Sequence, residues 1–286
     1  MRQEVYYQRG APDPVLDEKT VMEIVRKHVP GAQKLMYIDE SGGEARTYHV
    51  DDNIMLKVQR PQQLRMSTSL EKEAFFLRQL ENVSGINVPK VYGYGRHGTI
   101  EYTCMTRMPG ICVKKSGISG EKRKFMLFEL GKTLRIIHGI GQKPFRECGL
   151  FPCDDPPDLT ERLRIRTSQA VQAKKEVLGQ DRVNKAVQFI EKELKAIKNT
   201  DIFVALHTNP AMTHTFVDTG TLQYTGLIDF GDAYIGHPVF DLRRWPVADR
   251  KMLFDGYTAN TPVSPEFAII YNTANTIDQM VEELAG

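Results

Sequence analysis

The chain has little cysteine, no long apolar run and no excess of charge of either sign. Its 286 residues hold four cysteines, Cys104, Cys112, Cys148 and Cys153, with no Cys-x-x-Cys pair among them. Isolated thiols in a reducing compartment are therefore expected, rather than a disulfide framework or a zinc site. No window approaches the roughly 18 consecutive apolar residues of a membrane span. Residues Met1 to Tyr7 lack the apolar core of a secretory signal, so a cytoplasmic protein without a membrane partner is expected. Lys and Arg number 38 against 36 Asp and Glu, which gives no global electrostatic reason to expect a nucleic-acid partner. Internal repeats and low-complexity tracts are absent from the sequence too.

What is present is the composition of an ordinary globular protein, 41% hydrophobic and 26% charged, long enough for one large or two modest domains. Two differently patterned halves appear. Residues from about 15 to 108 mix short strand-like runs with two helical stretches. Asp17 is an N-cap for a helix carrying Val21, Ile24, Val25 and His28 before Pro30. Residues 34–38 and 47–50 read as a hairpin around Ser41-Gly42-Gly43, and 53–58 as a third strand ending at the Arg60-Pro61 break.

A second helix follows the Ser67-Thr68-Ser69 cap cluster and runs to about Leu80. Phe76, Leu77 and Leu80 stand at helical spacing from Glu73, which puts that carboxylate on the buried face. A buried carboxylate needs a cationic partner. Strands at 90–94 and 102–105 come next, and Met108-Pro109-Gly110 punctuates a hinge.

Beyond the hinge the pattern is mostly helical. Residues 120–139 carry Leu127, Leu130, Leu134 and Ile137 on one face, and 158–198 hold charge-rich amphipathic helices whose Lys and Arg read as a solvated face. A β-rich insert occupies 202–230, with strands at 202–206, 215–217 and 225–228 and a turn at Asp218-Thr219-Gly220. Polar residues leave the ends of these buried strands: His207-Thr208-Asn209, then His214, then Asp229-Phe230-Gly231-Asp232. Polar groups at the exits of adjacent strands converge on one spot, and Asp229 supplies hard oxygen ligands suited to Mg²⁺.

With these residues in view, the chain resembles the aminoglycoside phosphotransferase and choline kinase-like group over roughly residues 20 to 260. His207 to His214 falls where that family carries His-Gly-Asp-x-x-x-x-Asn. Asp229 to Asp232, followed by Gly236-His237-Pro238-Val239-Phe240-Asp241-Leu242, resembles its metal motif and the aspartate-bearing turn behind it. The resemblance implies an α+β, two-lobed protein-kinase-like fold, with a small β-rich lobe over 1–106 and a larger, mainly helical lobe over 107–286. It implies ATP or GTP, with Mg²⁺ or Mn²⁺, and a small-molecule hydroxyl acceptor, in a monomer or homodimer.

Residue roles carry over by position. Lys57 matches the phosphate-contacting lysine and Glu73 its helix partner. Gly42 and Gly43 match the turn beside the nucleotide, and Met105, Arg107 and Met108 the hinge that cradles the base. Asp229 matches the metal ligand. His207, Asn209 and Asp229 stand at the catalytic positions, and His214 is the second metal candidate or a polar filler. His207 is expected to hydrogen-bond within its loop, with Asp241 a candidate partner, and Asp232 reads as either a metal ligand or a helix cap.

The departures are as specific as the matches. Asn209 replaces the family's aspartate, and an amide cannot take up a hydroxyl proton near neutral pH, though it can orient the hydroxyl. His214 replaces the metal-binding asparagine, and imidazole suits Mn²⁺ or Zn²⁺ better than Mg²⁺. Thr208 replaces a glycine and stiffens the loop. Three functions are compatible with this pattern: a small-molecule kinase, a pseudokinase that binds nucleotide to regulate a partner, and a kinase fold recruited to other chemistry. For a polyamine acceptor, Asp154, Asp155, Asp278, Glu282 and Glu283 are the acidic candidates.

Overall fold

The computed structural model describes residues 5–6, 15–60, 64–65, 69–151, 159–198 and 202–284. Pro61, Ser67-Thr68 of the expected cap and Cys153-Asp154-Asp155 lie outside those residues. In chain order the elements are β1 (Val5–Tyr6), α1 (Glu18–His28), β2 (Leu35–Asp39), β3 (Ala45–Val50), β4 (Ile54–Gln59), β5 (Leu64–Arg65) and α2 (Ser69–Leu80). They continue with β6 (Val91–His97), β7 (Ile100–Thr106), β8 (Ile111–Cys112), α3 (Val113–Ser116), α4 (Gly120–Gly139), α5 (Lys143–Glu147) and α6 (Leu159–Gln172). Last come α7 (Lys175–Leu178), α8 (Gln180–Leu194), β9 (Val204–Leu206), β10 (Thr215–Val217), β11 (Tyr224–Leu227), β12 (Tyr234–Gly236), α9 (Val239–Leu242), α10 (Val247–Thr258) and α11 (Pro265–Glu283). This is the α+β arrangement expected, β-rich first and mainly helical after. Among the described residues no helix is long and apolar enough to cross a membrane. Cys104, Cys112 and Cys148 are free thiols.

The chain forms two compact units. One comprises Met1–Ile118, Lys143–Phe151 and His207–Ala233. Its centre is an antiparallel sheet in the order β2-β3-β4-β7-β6. Successive side chains on a strand point to opposite faces, and the register uses that alternation. Tyr48, Leu56 and Cys104 are buried on one face with Val21, Ile24 and Val25 of α1. Asp17 caps α1 as expected, accepting from the Thr20 N–H at 2.7 Å. The alternate residues pair as Thr47 with Lys57 and Lys57 with Thr103, and as His49 with Met55 and Met55 with Met105. Lys57 and Met105 therefore share the other face. There α2 meets the sheet, the Thr103 hydroxyl donating to the Leu70 carbonyl at 3.5 Å.

The same unit holds a second sheet, β11-β10-β8. Gly110 enters it with φ +91, and a Cβ at this position would land on the Val217 carbonyl, so the hinge punctuation is a steric requirement. Phe76 of α2 packs against Phe145, Phe151 and Phe230, with centroids 4.8, 5.9 and 4.9 Å away. Such offset and edge contacts add to the area that the rings bury.

The other unit comprises Ser119–Gln142, Pro152–Leu206 and Tyr234–Gly286. Here α4, with the limits predicted for it, lies against α10 at a close crossing. A side chain on Gly131 would strike the Leu253 carbonyl, and one on Gly256 the Phe128 carbonyl. Buried polar groups beside this crossing are paired: His138 Nε2 donates to Asp241 at 2.9 Å, and Tyr257 donates to His138 Nδ1 at 3.1 Å. The expected strand at 202–206 is shorter, Val204–Leu206, and pairs with β12, which the sequence pattern missed. The charge-rich region beyond residue 158 is helical, as α6 to α8.

Candidate nucleotide and phosphoryl-transfer site

Lys57 points from β4 toward α2 and toward the segment after β11. Its Nζ donates to Glu73 Oε2 at 2.8 Å and to Asp229 Oδ1 at 2.8 Å. Lys57 and Glu73 are largely buried, their side chains 16% and 2% exposed, whereas Asp229 is 38% exposed. The inward Glu73 that the helical spacing required is thus on the lysine. Burial works against the Lys57 ammonium, but the Asp229 and Glu73 carboxylates outweigh it and hold its pKa above the ordinary value. Burial pushes the Glu73 carboxyl up, and Asp229 adds to that against the pull of Lys57. For Asp229 burial also opposes ionisation, but Lys57 and then His214 prevail and hold it well below the carboxylate range. Its exposure to solvent screens the interaction, so the pair is worth less than dry contact would suggest.

The two loops after β9 and β11 meet at Asp229. His214 Nε2 lies 3.2 Å from Asp229 Oδ2, and His214 Nδ1 lies 2.8 Å from the Asn209 carbonyl oxygen. A carbonyl only accepts, so Nδ1 carries a hydrogen and Nε2 is the nitrogen that faces Asp229. His207 is fully buried; its Nε2–H donates to the Ile228 carbonyl at 2.9 Å and its Nδ1 accepts from the Asn209 N–H at 3.2 Å. His207 thereby ties the His207–Asn209 loop to the strand that delivers Asp229. Asp241, the other partner considered for His207, receives His138 in the helical unit.

Both loops use left-handed backbone, Thr208 at φ 75 and Asp229 at φ 71. Aspartate tolerates that conformation, whereas a β-branched residue there is an outlier. Thr208 thus places strain in the loop where the sequence suggested stiffness.

The remaining sequence candidates fall nearby in the same unit. Gly42 lies between β2 and β3, where a Cβ would strike the Ala45 carbonyl; Gly43 follows it. Met105 is buried at the end of β7, and Met108 is buried with its sulfur 3.8 Å from the Asn87 amide nitrogen. The Arg107 N–H donates to the Asn53 carbonyl at 2.8 Å, and its guanidinium lies 5.8 Å from the Tyr37 ring centroid.

Two features escaped the sequence reading. Lys72, beside Glu73, is fully buried and donates to the Ala233 carbonyl at 3.0 Å, so consecutive residues of α2 hold the segment 229–233. Tyr37 stacks on His49 with centroids 4.2 Å apart, on the face that bears Lys57. Lysine alone reads as surface, and a cross-strand stack has no signature along one strand.

The pattern of the phosphotransferase enzyme family matches residues 38–275. No curated protein matches the chain. Among solved structures, the GDP and kanamycin complex of a type III aminoglycoside 2″-phosphotransferase is 15% identical with TM-score 0.64, covering 93% of this chain and 91% of that one. An ADP-bound aminoglycoside phosphotransferase is 17% identical with TM-score 0.57, covering 93% and 90%. The apoenzyme of a macrolide 2'-phosphotransferase from Brachybacterium faecium is 18% identical with TM-score 0.60, covering 93% of each chain. These likenesses establish the two-lobed, protein-kinase-like fold.

Proposed function

This chain belongs to the phosphotransferase enzyme family, and on that premise we propose that it transfers the γ-phosphoryl group of ATP or GTP to a hydroxyl of a small molecule. The observation that carries the proposal is the contact chain Glu73–Lys57–Asp229–His214. It gathers in one place a fixed cation for phosphate and a carboxylate for a metal. Similar folds solved with GDP and kanamycin, or with ADP, support a nucleotide and a hydroxylated acceptor. The division of labour follows the chain, residues 1–106 serving mainly the nucleotide and 107–286 carrying the catalytic and metal loops and the acceptor. A cytoplasmic site of action is part of the same proposal, since ATP and GTP are available there.

In phosphoryl transfer the protein mostly positions groups and neutralises charge. Lys57, held by Glu73, contacts the α- and β-phosphates. Gly42 and Gly43 let the β2–β3 turn approach them closely, and Met105, Arg107 and Met108 form the slot for the base. Asn209 orients the acceptor hydroxyl, and His207 keeps that loop in register with Asp229.

The donor set fits a divalent cation. A nitrogen and an oxygen 3.2 Å apart match two ligands at right angles on one ion, about 3 Å for bonds of about 2.1 Å. Among the described residues no group of three or more His, Cys, Asp or Glu side chains suits a metal. Asp229 and His214 would therefore hold the ion together with phosphate oxygens and water, the usual arrangement for Mg²⁺ and Mn²⁺. When bound, the ion offsets charge on the phosphates. His214 favours Mn²⁺ over Mg²⁺.

With Asn209 no aspartate at that position takes the hydroxyl proton. A loose transition state asks little of a base, so transfer is slowed rather than lost. The same residue, with Thr208, favours a second reading, a nucleotide-binding regulator without turnover. The experiment compares wild type with Asn209→Asp for nucleotide consumption, across candidate alcohols with Mg²⁺ or Mn²⁺. We expect slow turnover that the aspartate accelerates about 10²-fold or more. Nucleotide binding by both proteins with no turnover by either would favour the regulator. Consumption of acceptor without phosphate gain, read by mass spectrometry, would point to a third chemistry.

A further inference from the structure

On the face of the main sheet that bears Lys57, an aromatic stack stands beside the residues of the base slot. His49 of β3 pairs in register with Met55, and Met55 with Met105. Tyr37, the partner of His49 on β2, lies flat on the imidazole, with centroids 4.2 Å apart and planes 14° from parallel. The Arg107 guanidinium is 5.8 Å from the Tyr37 centroid. All of these residues belong to one of the two compact units.

The two rings are held very differently. His49 is 7% exposed, whereas Tyr37, on the edge strand of the sheet, is 46% exposed. His49 Nδ1 is buried and has no hydrogen-bond partner among the described residues. Burial, and then Arg107, hold the ring's pKa below the ordinary value against the pull of Asp39, so the ring is neutral at pH 7.

A neutral imidazole carries one N–H and one lone pair, both able to read a polar edge. A buried ring nitrogen without a partner forfeits the bond it would make to water. The stack recovers part of that loss, but it also pins the ring in the orientation that leaves Nδ1 unpaired. Opposing contributions of similar size leave the covered arrangement only slightly favoured, and a ligand can shift such a balance. Tyr37 can leave by a change of side-chain rotamer alone, because β2 is held to β3 through its backbone. The imidazole, whose outer torsion is broad, can then turn a nitrogen toward the slot.

We propose that His49 reads the edge of the nucleotide's purine base, and that Tyr37 covers it until a nucleotide displaces the tyrosine ring. This rests on the phosphoryl-transfer reading and deepens it by naming the residue that selects the base. A base brings what Tyr37 lacks, a row of ring nitrogens and exocyclic groups along its edge. It also presents a flat face to the Arg107 guanidinium, as Tyr37 does now.

The test uses calorimetric titration of the full chain with ATP, GTP and tripolyphosphate, each with Mn²⁺. Tripolyphosphate reports the phosphate contacts without the base. The proteins are wild type, Tyr37→Ala, His49→Phe and His49→Gln; circular dichroism verifies the fold of each. We expect Tyr37→Ala to tighten at least one nucleotide about threefold or more, because the cover no longer has to be displaced. His49→Phe, which keeps a ring and loses the nitrogens, should weaken at least one nucleotide about tenfold, and His49→Gln should restore part of that. Tripolyphosphate should bind all four proteins alike. A larger loss for one nucleotide identifies the base that His49 reads, and equal losses place it on an atom common to both purines.

Weaker nucleotide binding by Tyr37→Ala would make that ring a platform instead of a cover and overturn the proposal. So would nucleotide binding by His49→Phe equal to that of wild type, or an equal loss of tripolyphosphate. Each of these outcomes leaves the kinase reading intact. Should His49→Phe fail to fold, the sign of the Tyr37→Ala effect decides. Failure of both wild type and Tyr37→Ala to bind either nucleotide would remove the kinase reading and this inference with it.

Discussion

The Nδ1–H of His214 donates to the main-chain carbonyl of Asn209 at 2.8 Å, and this bond fixes which nitrogen faces Asp229. A ring nitrogen of His214 is thereby set beside a carboxylate oxygen. The Asn209 backbone does the positioning, while its side chain is an amide, which cannot take up a proton near neutral pH.

His214→Asn is expected to reverse the preference of the site from Mn²⁺ toward Mg²⁺. In the presence of nucleotide, wild type should hold Mn²⁺ about tenfold or more tighter than the variant. Paramagnetic resonance of bound Mn²⁺ should show nitrogen coupling in wild type and none in His214→Asn. Equal spectra from the two proteins would remove His214 from the metal.

Lys57→Met leaves Glu73 buried beside Asp229 without its cation. Removing one partner of a buried pair costs about 3 kcal/mol, less here to the extent that solvent reaches Asp229. Urea unfolding measures this, and adding Glu73→Leu should restore part of the loss. Strict additivity of the two substitutions would show that the pair is not coupled.

Thr208→Gly should stabilise the fold. The left-handed backbone at φ 75 costs a β-branched residue about 1–2 kcal/mol. Glycine relieves that but gains freedom in the unfolded chain, for a net effect of about 1 kcal/mol. A rise in the urea midpoint with unchanged slope is the expected result; a fall would mean that the Thr208 side chain contributes more than its backbone costs.

His237 should make the protein sensitive to mild acid. Burial first, then nearby His138, push its pKa down to about 3. The unfolded ring takes up a proton near pH 6.5 while the folded ring does not, so this contribution is full above that pH and declines toward pH 3. The slope is at most about 1.4 kcal/mol per pH unit. His237 Nδ1 accepts from the Val239 N–H at 3.2 Å, a bond that a glutamine oxygen can take over. His237→Gln should flatten the stability profile between pH 6 and 4. A profile as steep as that of wild type would assign the acid sensitivity to other groups.

Much of this was legible along the chain. The limits of α4 follow from its apolar stripe, and the inward Glu73 from its spacing to Phe76, Leu77 and Leu80. The two- and three-residue strands β8 and β12 are too short to show a period, and both are stabilised by partners distant in sequence. Lys72 and Lys57 look alike in sequence; burial against Ala233 and Glu73 distinguishes them from surface lysines. Arg162 and Arg166 read as a solvated face, whereas the structure lays them on Tyr234 and Phe240.

The sequence by itself determined most of the elements and the residue types at the two loops, Thr208, Asn209 and His214 among them. Helical spacing, strand alternation and turn chemistry act over a few residues, and they are written locally. Only the tertiary structure decided that Lys57 meets an aspartate 172 positions away, or that Arg162 and Arg166 share the rings of Tyr234 and Phe240. Such contacts exist only when packing has closed the long loops between them, and no local pattern encodes which pairs that closure brings together.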